Sequence, residues 1–248
     1  MPLPRRPLLS SPACWLLLAL SGCSSMAPAP VHKGETQVAP LTTRELVQSD
    51  VNRMATLGMR DNLDSLYRLL DKLYRRNPAE WRKTTAVSRE AAIQQVRDAI
   101  DQRTPWPELK GQRDIAALSL ALSPDFKGDR VAAFIYASAD MLIVAHDNRT
   151  SFHLIDRLDA QHVYNAARNI ESAVWLLASR RTPAGQPLLL ADEISAQERN
   201  LSFEREFGKV IGRLDLLSEV LTEKYRRAVI SYVQNLAGAS FLQFLPVR

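Results

Sequence analysis

From residue 41 onward, apolar positions recur at helical spacing along most of this chain, and few stretches alternate as strands do. The first stripe, Leu46, Met54, Leu57, Leu63, Leu66, Leu70 and Leu73, predicts a long helix that Thr42 or Thr43 can cap. Gly58 is a candidate bend in it, and Asn77-Pro78 stops it, with Arg75 and Arg76 well placed against the carboxyl-end dipole. Ser88 caps a second helix with Ile93, Val96 and Ile100 on one face, ended by Thr104-Pro105-Trp106-Pro107. Ile115 to Leu122 is strongly apolar up to Ser123-Pro124, and Asp129 caps a run from Arg130 to His146. A short helical turn is expected near Phe152 to Leu158. Asp159 then opens a helix to about Arg180, with Val163, Ala167, Ile170, Val174 and Leu177 on one face. Pro183, Gly185 and Pro187 make residues 182–192 a loop. The last helix is expected from about Ser195 to Leu236, carrying Phe207, Ile211, Leu214, Leu217, Leu221, Tyr225, Val229, Tyr232 and Leu236. The fold class this pattern specifies is all-α, a multi-helix bundle.

Two of these helices carry informative exceptions. Val131 to Ala145 is apolar nearly all round, which predicts a central helix buried on most faces. Its Asp140 must then be paired, protonated or turned toward a cavity, because an isolated buried carboxylate is costly. Arg168 and Glu171, one turn apart on the helix that follows, interrupt another core-facing stretch, as do Asn165 and Asn169. Asp140, Arg168 and Glu171 are therefore a candidate buried polar cluster. It reads either as a pocket gathered around a ligand or as an Asp140–Arg168 ion pair that fixes the register of two helices, the latter being favoured. Gly208 and Gly212, one turn apart on the last helix, would let another helix approach closely, which in a soluble domain reads as packing.

The chain before residue 41 has a different character. Arg5 and Arg6 precede an apolar run from Leu8 to Leu20, no acidic residue occurs before Glu35, and small residues follow at Leu20-Ser21-Gly22-Cys23. This order is that of a secretory signal, and the run is short for a membrane span. The four residues ending in Cys23 resemble the lipobox of bacterial lipoprotein precursors. That resemblance, which covers about the first 25 residues, implies a diacylglyceryl group on the Cys23 thiol, cleavage before Cys23 and acylation of the new amino terminus. Multiple acyl chains anchor firmly where a single one holds only marginally. In such lipoproteins the residue after the cysteine biases sorting, so Ser24 implies an outer-membrane anchor with the protein facing the periplasm. The expected organisation is a signal peptide over 1–22, the lipidated Cys23 and a flexible linker over 23–40, and a single helical domain over 41–248. Pro28, Pro30 and Pro40 make the linker an extended spacer.

Composition narrows the function classes. The chain holds 32 Lys+Arg against 27 Asp+Glu, a net charge of +5, of which Arg5 and Arg6 would leave with the signal. No block of five like charges occurs, so a nucleic-acid partner is not expected. The two cysteines are Cys14, in the signal, and Cys23, leaving the domain without disulfide or thiolate ligands. His146, Asp147, His153, Asp156, Asp159 and His162 crowd together but lack metal-site spacing, so no metal or other cofactor is expected, and Asp159 reads as a helix cap. There is no G-x-S-x-G elbow and no glycine-rich phosphate loop. Glu80 with Glu90, or Glu193 with Glu198, have no spacing that separates them from solvated helix charges. Trp81, Trp106 and Trp175 can line a groove or pack in the core. The domain also resembles uncharacterised helical lipoproteins of Gram-negative bacteria at residues 147–150 and 164–171, a likeness that implies no activity. The expectation is a non-enzymatic envelope lipoprotein whose partner is another envelope protein or a second copy. The alternatives are a binder of an amphipathic ligand between helices, predicting a pocket that reaches Asp140 or Trp175, and an enzyme on envelope glycans or lipids.

Overall fold

The computed structural model describes residues 48–153, 156–194 and 199–242. Residues 1–40, which hold the expected signal, Cys23 and the expected linker, and the cap candidates Thr42 and Thr43 lie outside the described residues. Those described belong to one compact unit of an all-α, multi-helix kind. Seven helices occur among them: α1 (Asp50–Arg76), α2 (Pro78–Trp81), α3 (Arg89–Asp101), α4 (Asp114–Ala121), α5 (Arg130–Ala145), α6 (Ala160–Ser179) and α7 (Ser202–Leu242). A 3-10 turn over Pro107–Leu109 precedes α4. A two-residue antiparallel ladder, β1 (Glu193–Ile194) with β2 (Arg199–Asn200), precedes α7, pairing Glu193 with Asn200.

Helix α5 is the axle of the bundle. Every residue from Val131 to Ile143 is buried, as its all-round apolar sequence requires. Helices α1 to α4 and α6 pack against it, and α7 reaches it where the Phe207 ring meets Phe134 edge-on at 6.3 Å. A helix so enclosed must find partners for its first N–H groups inside the protein. Asp129, 1% exposed, accepts from the Ala132 N–H at 3.0 Å and from the Tyr74 hydroxyl at 2.6 Å. Glu80, also buried, accepts from the Arg130 N–H at 2.8 Å and from Lys83 at 2.7 Å. The short helix α2 thus serves to carry Glu80 to the head of α5.

Local signals set most boundaries. Ser88 caps α3 through the Ala91 N–H, and Asp159 caps α6 through the N–H groups of Gln161 and His162. Asn77 ends α1, its side chain donating to the Leu73 carbonyl, and Pro78 opens α2. Helix α1 runs through Gly58 and begins at Asp50 because Ser49 caps it, accepting from the Asn52 N–H at 3.3 Å. Within 152–158 the Asp156 N–H donates to the His153 carbonyl at 3.0 Å, a single i→i+3 turn bond, while residues 154–155 lie outside the described residues. Asn52, Gln48 and Thr56, on or just before α1, engage the backbone of Phe152, His153 and Asp156, drawing that segment along α1. Helix α7 starts at Ser202 rather than near Ser195, because Asp192 and Asn200 satisfy its first N–H groups after the β1–β2 ladder. Gly208 and Gly212 are exposed, and nothing lies within 4 Å of where a Cβ would stand on either. They are not the contact of a closely packed helix pair.

Burial pushes the Asp129 carboxyl up to about 6 from the ordinary 3.8, with Glu80 adding to the rise and the Tyr74 and backbone hydrogen bonds opposing it. A pKa higher in the folded than in the unfolded state means folding favours the protonated group. That stabilisation is complete below the unfolded value and is lost as pH rises through about 6. Asp129→Asn retains the cap but does not titrate. The unfolding free energy of the wild type relative to this variant is expected to fall by about 2–3 kcal/mol between about pH 4 and 6.5. Urea unfolding across that range checks this, and a pH-independent difference would contradict it.

Candidate functional site

Asp140, 8% exposed, is the only charged residue between Val131 and Ala145 on the axle helix. Its partner is not Arg168. Arg113, just before α4, grips it with two parallel bonds, Nε to Oδ2 at 3.0 Å and Nη2 to Oδ1 at 2.9 Å. Arg103, just after α3, adds a second guanidinium at 3.0 Å from Oδ1 and also donates to Asn148 at 3.0 Å. One buried carboxylate thus holds two cations arriving from two inter-helix connections. The bidentate geometry is the strong form of this contact. The Asp140 carboxylate in turn is the largest cause holding the Arg113 guanidinium above its ordinary pKa.

The expected Asp140–Arg168–Glu171 cluster therefore does not form as a unit. Arg168 and Glu171 do meet, at 3.0 Å, but on the half-exposed rim of α6, where Arg168 also pairs with Asp215 of α7 at 2.8 Å. They lie there because α6 packs its buried stripe, Val163, Ala166, Ala167, Ile170 and Ala173, inward and leaves these two at its edge. Arg168 also stacks over Tyr164 at 5.0 Å. Asn165 is exposed and Asn169 half-buried, so neither joins Asp140.

The three charges Asp140, Arg103 and Arg113 line a cleft of about 550 Å³ together with Pro105, Trp106, Leu109, Gln112 and Tyr136. The Trp106 and Tyr136 rings form one wall, centroids 5.7 Å apart and tilted by 34°. Glu108 holds the indole in place, accepting from Trp106 Nε1 at 2.8 Å. Tyr136 is 8% exposed, and burial, reinforced by Asp140, raises its hydroxyl pKa despite the two arginines. Arg103, Lys110, Asp114, Asp147 and Asn148 have φ between 51° and 59°, and Gly111 has φ 73°. All six line the cleft or adjoin a residue that does. The left-handed region is disfavoured for residues with a Cβ, asparagine and aspartate least so. Several of these positions are helix ends: Arg103 and Asp147 are the left-handed residues of Schellman caps, closed by Thr104 N–H to the Ala99 carbonyl and Asn148 N–H to the Ile143 carbonyl, both at 2.9 Å, and Lys110 caps the Pro107–Leu109 turn.

The remaining candidates fall elsewhere. His146 is fully buried at the end of α5, its Nδ1 2.8 Å from the Leu142 carbonyl and its ring against Phe152. Its Nε2 has no hydrogen-bond partner among the described residues. Burial lowers its pKa, so its contribution to stability is lost as pH falls, opposite in sign to that of Asp129. His153 and His162 are exposed, Asp156 pairs with Arg149 at 2.9 Å, and Asp159 is a cap. Glu80 serves α5, Glu90 is exposed beside Arg89, and Glu193 pairs with Arg76, while Glu198 lies outside the described residues. Trp81 packs on the core, and Trp175 is 64% exposed. Helical periodicity along the chain does not point to Arg103 and Arg113, since both stand in connections. The signal that marks them is their position beside the Pro105–Pro107 and Lys110-Gly111 breaks. No protein-family model matches the chain, and no curated protein or solved structure matches it.

A double-mutant cycle on thermodynamic stability tests the new pairing. Asp140→Asn with Arg113→Ala is expected to show a coupling of about 1–2 kcal/mol, reduced by the solvent exposure of Arg113. Asp140→Asn with Arg168→Ala should be additive within about 0.5 kcal/mol. The reverse result would restore the Asp140–Arg168 pair.

Proposed function

We propose that this protein is an envelope lipoprotein, acylated at Cys23, anchored at the outer membrane and facing the periplasm. Its helical body is a binding module rather than an enzyme. The lipobox-like Leu20-Ser21-Gly22-Cys23 supports the anchor. In a Gram-negative host, labelled palmitate should enter the wild-type chain and not Cys23→Ser; equal labelling of both would remove the anchor from the proposal.

The single observation behind the binding role is the composition of the Asp140 cleft. Two guanidiniums share one carboxylate, leaving one positive charge in excess, beside a wall of Trp106, Tyr136, Leu109 and Pro105. Such a site suits an amphipathic ligand with one anionic group, a carboxylate or phosphate on an apolar body. The anion would meet Arg113 and Arg103, and the body would lie on the aromatic wall. The cleft volume is within the range usual for small-molecule sites. Hydrolytic chemistry is poorly served there: the lining holds no serine, threonine, cysteine, histidine or lysine, and Asp140 is committed to two arginines.

Decanoate and decyltrimethylammonium separate this reading from general hydrophobic binding. Decanoate is expected to raise the melting temperature and to bind with heat measurable by calorimetry, and the cationic amphiphile is not. Arg113→Ala should weaken decanoate binding about tenfold, the loss of one charge-assisted hydrogen-bonded contact. Trp106→Ala should weaken it while leaving the preference for the anion. Equal binding of both amphiphiles, or decanoate binding indifferent to Arg113→Ala, would overturn the proposal.

A further inference from the structure

Helix α7 has two unlike halves. In the first, Phe203, Phe207, Val210, Leu214, Leu217 and Leu221 form a buried seam at alternating spacings of four and three. The seam ends at Leu221. Every residue from Lys224 to Leu236 is exposed, and the Tyr225 hydroxyl, donating to the Leu158 carbonyl at 3.1 Å, ties the start of this half to the bundle. At 1.5 Å per residue the exposed stretch is roughly 20 Å of helix. An isolated helix of that length is marginal in water, and helices are held chiefly by burying an apolar face.

This half has such a face. With about 100° per residue, Tyr225, Val229, Tyr232, Val233 and Leu236 fall within an arc of roughly 100°. They are 48% to 66% exposed. On the same wheel Arg226 borders the arc on one side, Lys224 lies about 80° beyond its other edge, and Arg227 with Gln234 lies opposite. Glu223, bound by Arg226 and Arg227 at 2.7 and 3.0 Å, is the last acidic residue of the chain. From Lys224 to Arg248 there are four basic residues and no acidic one.

We propose that the Lys224–Leu236 half of α7 is an interfacial element that lies on an anionic phospholipid surface. Val229, Tyr232, Val233 and Leu236 enter the acyl boundary while Lys224 and Arg226 reach the headgroup phosphates. Cations flanking an apolar stripe are the arrangement of helices that lie in this interface. A second copy is a poorer occupant. The 4-3-4 spacing of Tyr225, Val229, Tyr232 and Leu236 continues at Ala239 and meets the polar Gln243, so the seam is about two heptads where a stable coiled coil needs three or four. Two copies would also oppose basic flanks that have no acidic counterparts beyond Glu223. Among the described residues no helix is long and apolar enough to cross a membrane, so the element lies on the surface rather than spanning it.

Lipid contact by α7 does not require acylation, so it is read in a chain without Cys23, the Val229 label and the charge-reversal variant separating it from contact by the apolar run over 8–20. In the full chain carrying Cys14→Ser and Cys23→Ser, an environment-sensitive fluorophore is placed on Val229→Cys or, as a control, on Gln234→Cys. Vesicles of phosphatidylcholine alone are compared with vesicles containing about 30% phosphatidylglycerol, enough to give the surface a negative potential. The Val229 label is expected to shift to the blue with the anionic vesicles only, and the Gln234 label much less. Lys224→Glu with Arg226→Glu and Arg227→Glu, all at exposed positions, should cut the apparent vesicle affinity by more than about tenfold. Circular dichroism and thermal unfolding establish that this variant is folded. No shift with either vesicle, an equal shift with both, a shift that grows with protein concentration in the absence of lipid, or an equal shift with soluble polyglutamate would each overturn the proposal. The third and fourth of these would point to a second copy and to an acidic protein partner respectively.

Discussion

The burial of α5 is the constraint from which the rest of the structure follows. A helix apolar on every side is stable only if neighbours enclose it, and the other described helices do so. Enclosure then creates two polar problems. The first is at its amino end, where N–H groups would be left without water. Asp129, Tyr74 and Glu80 solve it by drawing α1 and α2 to one point. The second is Asp140, the single charge along the buried stretch.

The way Asp140 is satisfied gives the molecule its cleft. A helix-borne arginine facing it would have sealed the core. Instead both guanidiniums come from connections beside α3 and α4, whose backbones pass through left-handed conformations at Arg103, Lys110 and Gly111 to deliver them. Between these connections and α5 lies the cleft, walled by Trp106 and Tyr136. Charge, aromatic surface and concavity thus coincide for one reason: a carboxylate on the axle had to be reached from outside the bundle. The exposed half of α7 follows a complementary logic. Its buried seam stops at Leu221, while its apolar pattern continues along helix that the described bundle leaves open to solvent.

Much of the fold is legible in the sequence because much of it is locally determined. Ser88, Asp129 and Asp159 cap the helices expected of them, since a cap needs only its own next three residues. The enclosure of Val131 to Ile143 is equally readable, because no amphipathic arrangement can leave such a run in water. Local preference fails where distant segments compete with it. Phe152 to Leu158 has the pattern of a helical turn and its described part keeps one turn bond, Asp156 N–H to the His153 carbonyl, but where the segment lies is set by hydrogen bonds from Gln48, Asn52 and Thr56, far away in the chain. Gly208 and Gly212 have the spacing of a close-packing pair, yet which face of α7 meets the bundle is set by the Phe203–Leu221 seam and leaves them outside.

The sequence by itself determined that the body is helical, where most helices begin and end, that α5 is the centre and that Asp140 is the residue in need of a partner. It determined these because propensity, capping and apolar period act over a few residues. The amphipathic, acid-free character of the last residues and the lipobox-like stretch at Cys23 are equally matters of sequence. Only the tertiary structure decided which charges answer Asp140. The reach of Arg103 and Arg113 depends on how α3 and α4 settle against α5, and no periodicity along the chain encodes the distance between a loop and a helix face. For the same reason only the fold could separate Arg168 and Glu171 from Asp140, and show that an apolar stripe continuous in sequence is core up to Leu221 and surface beyond it.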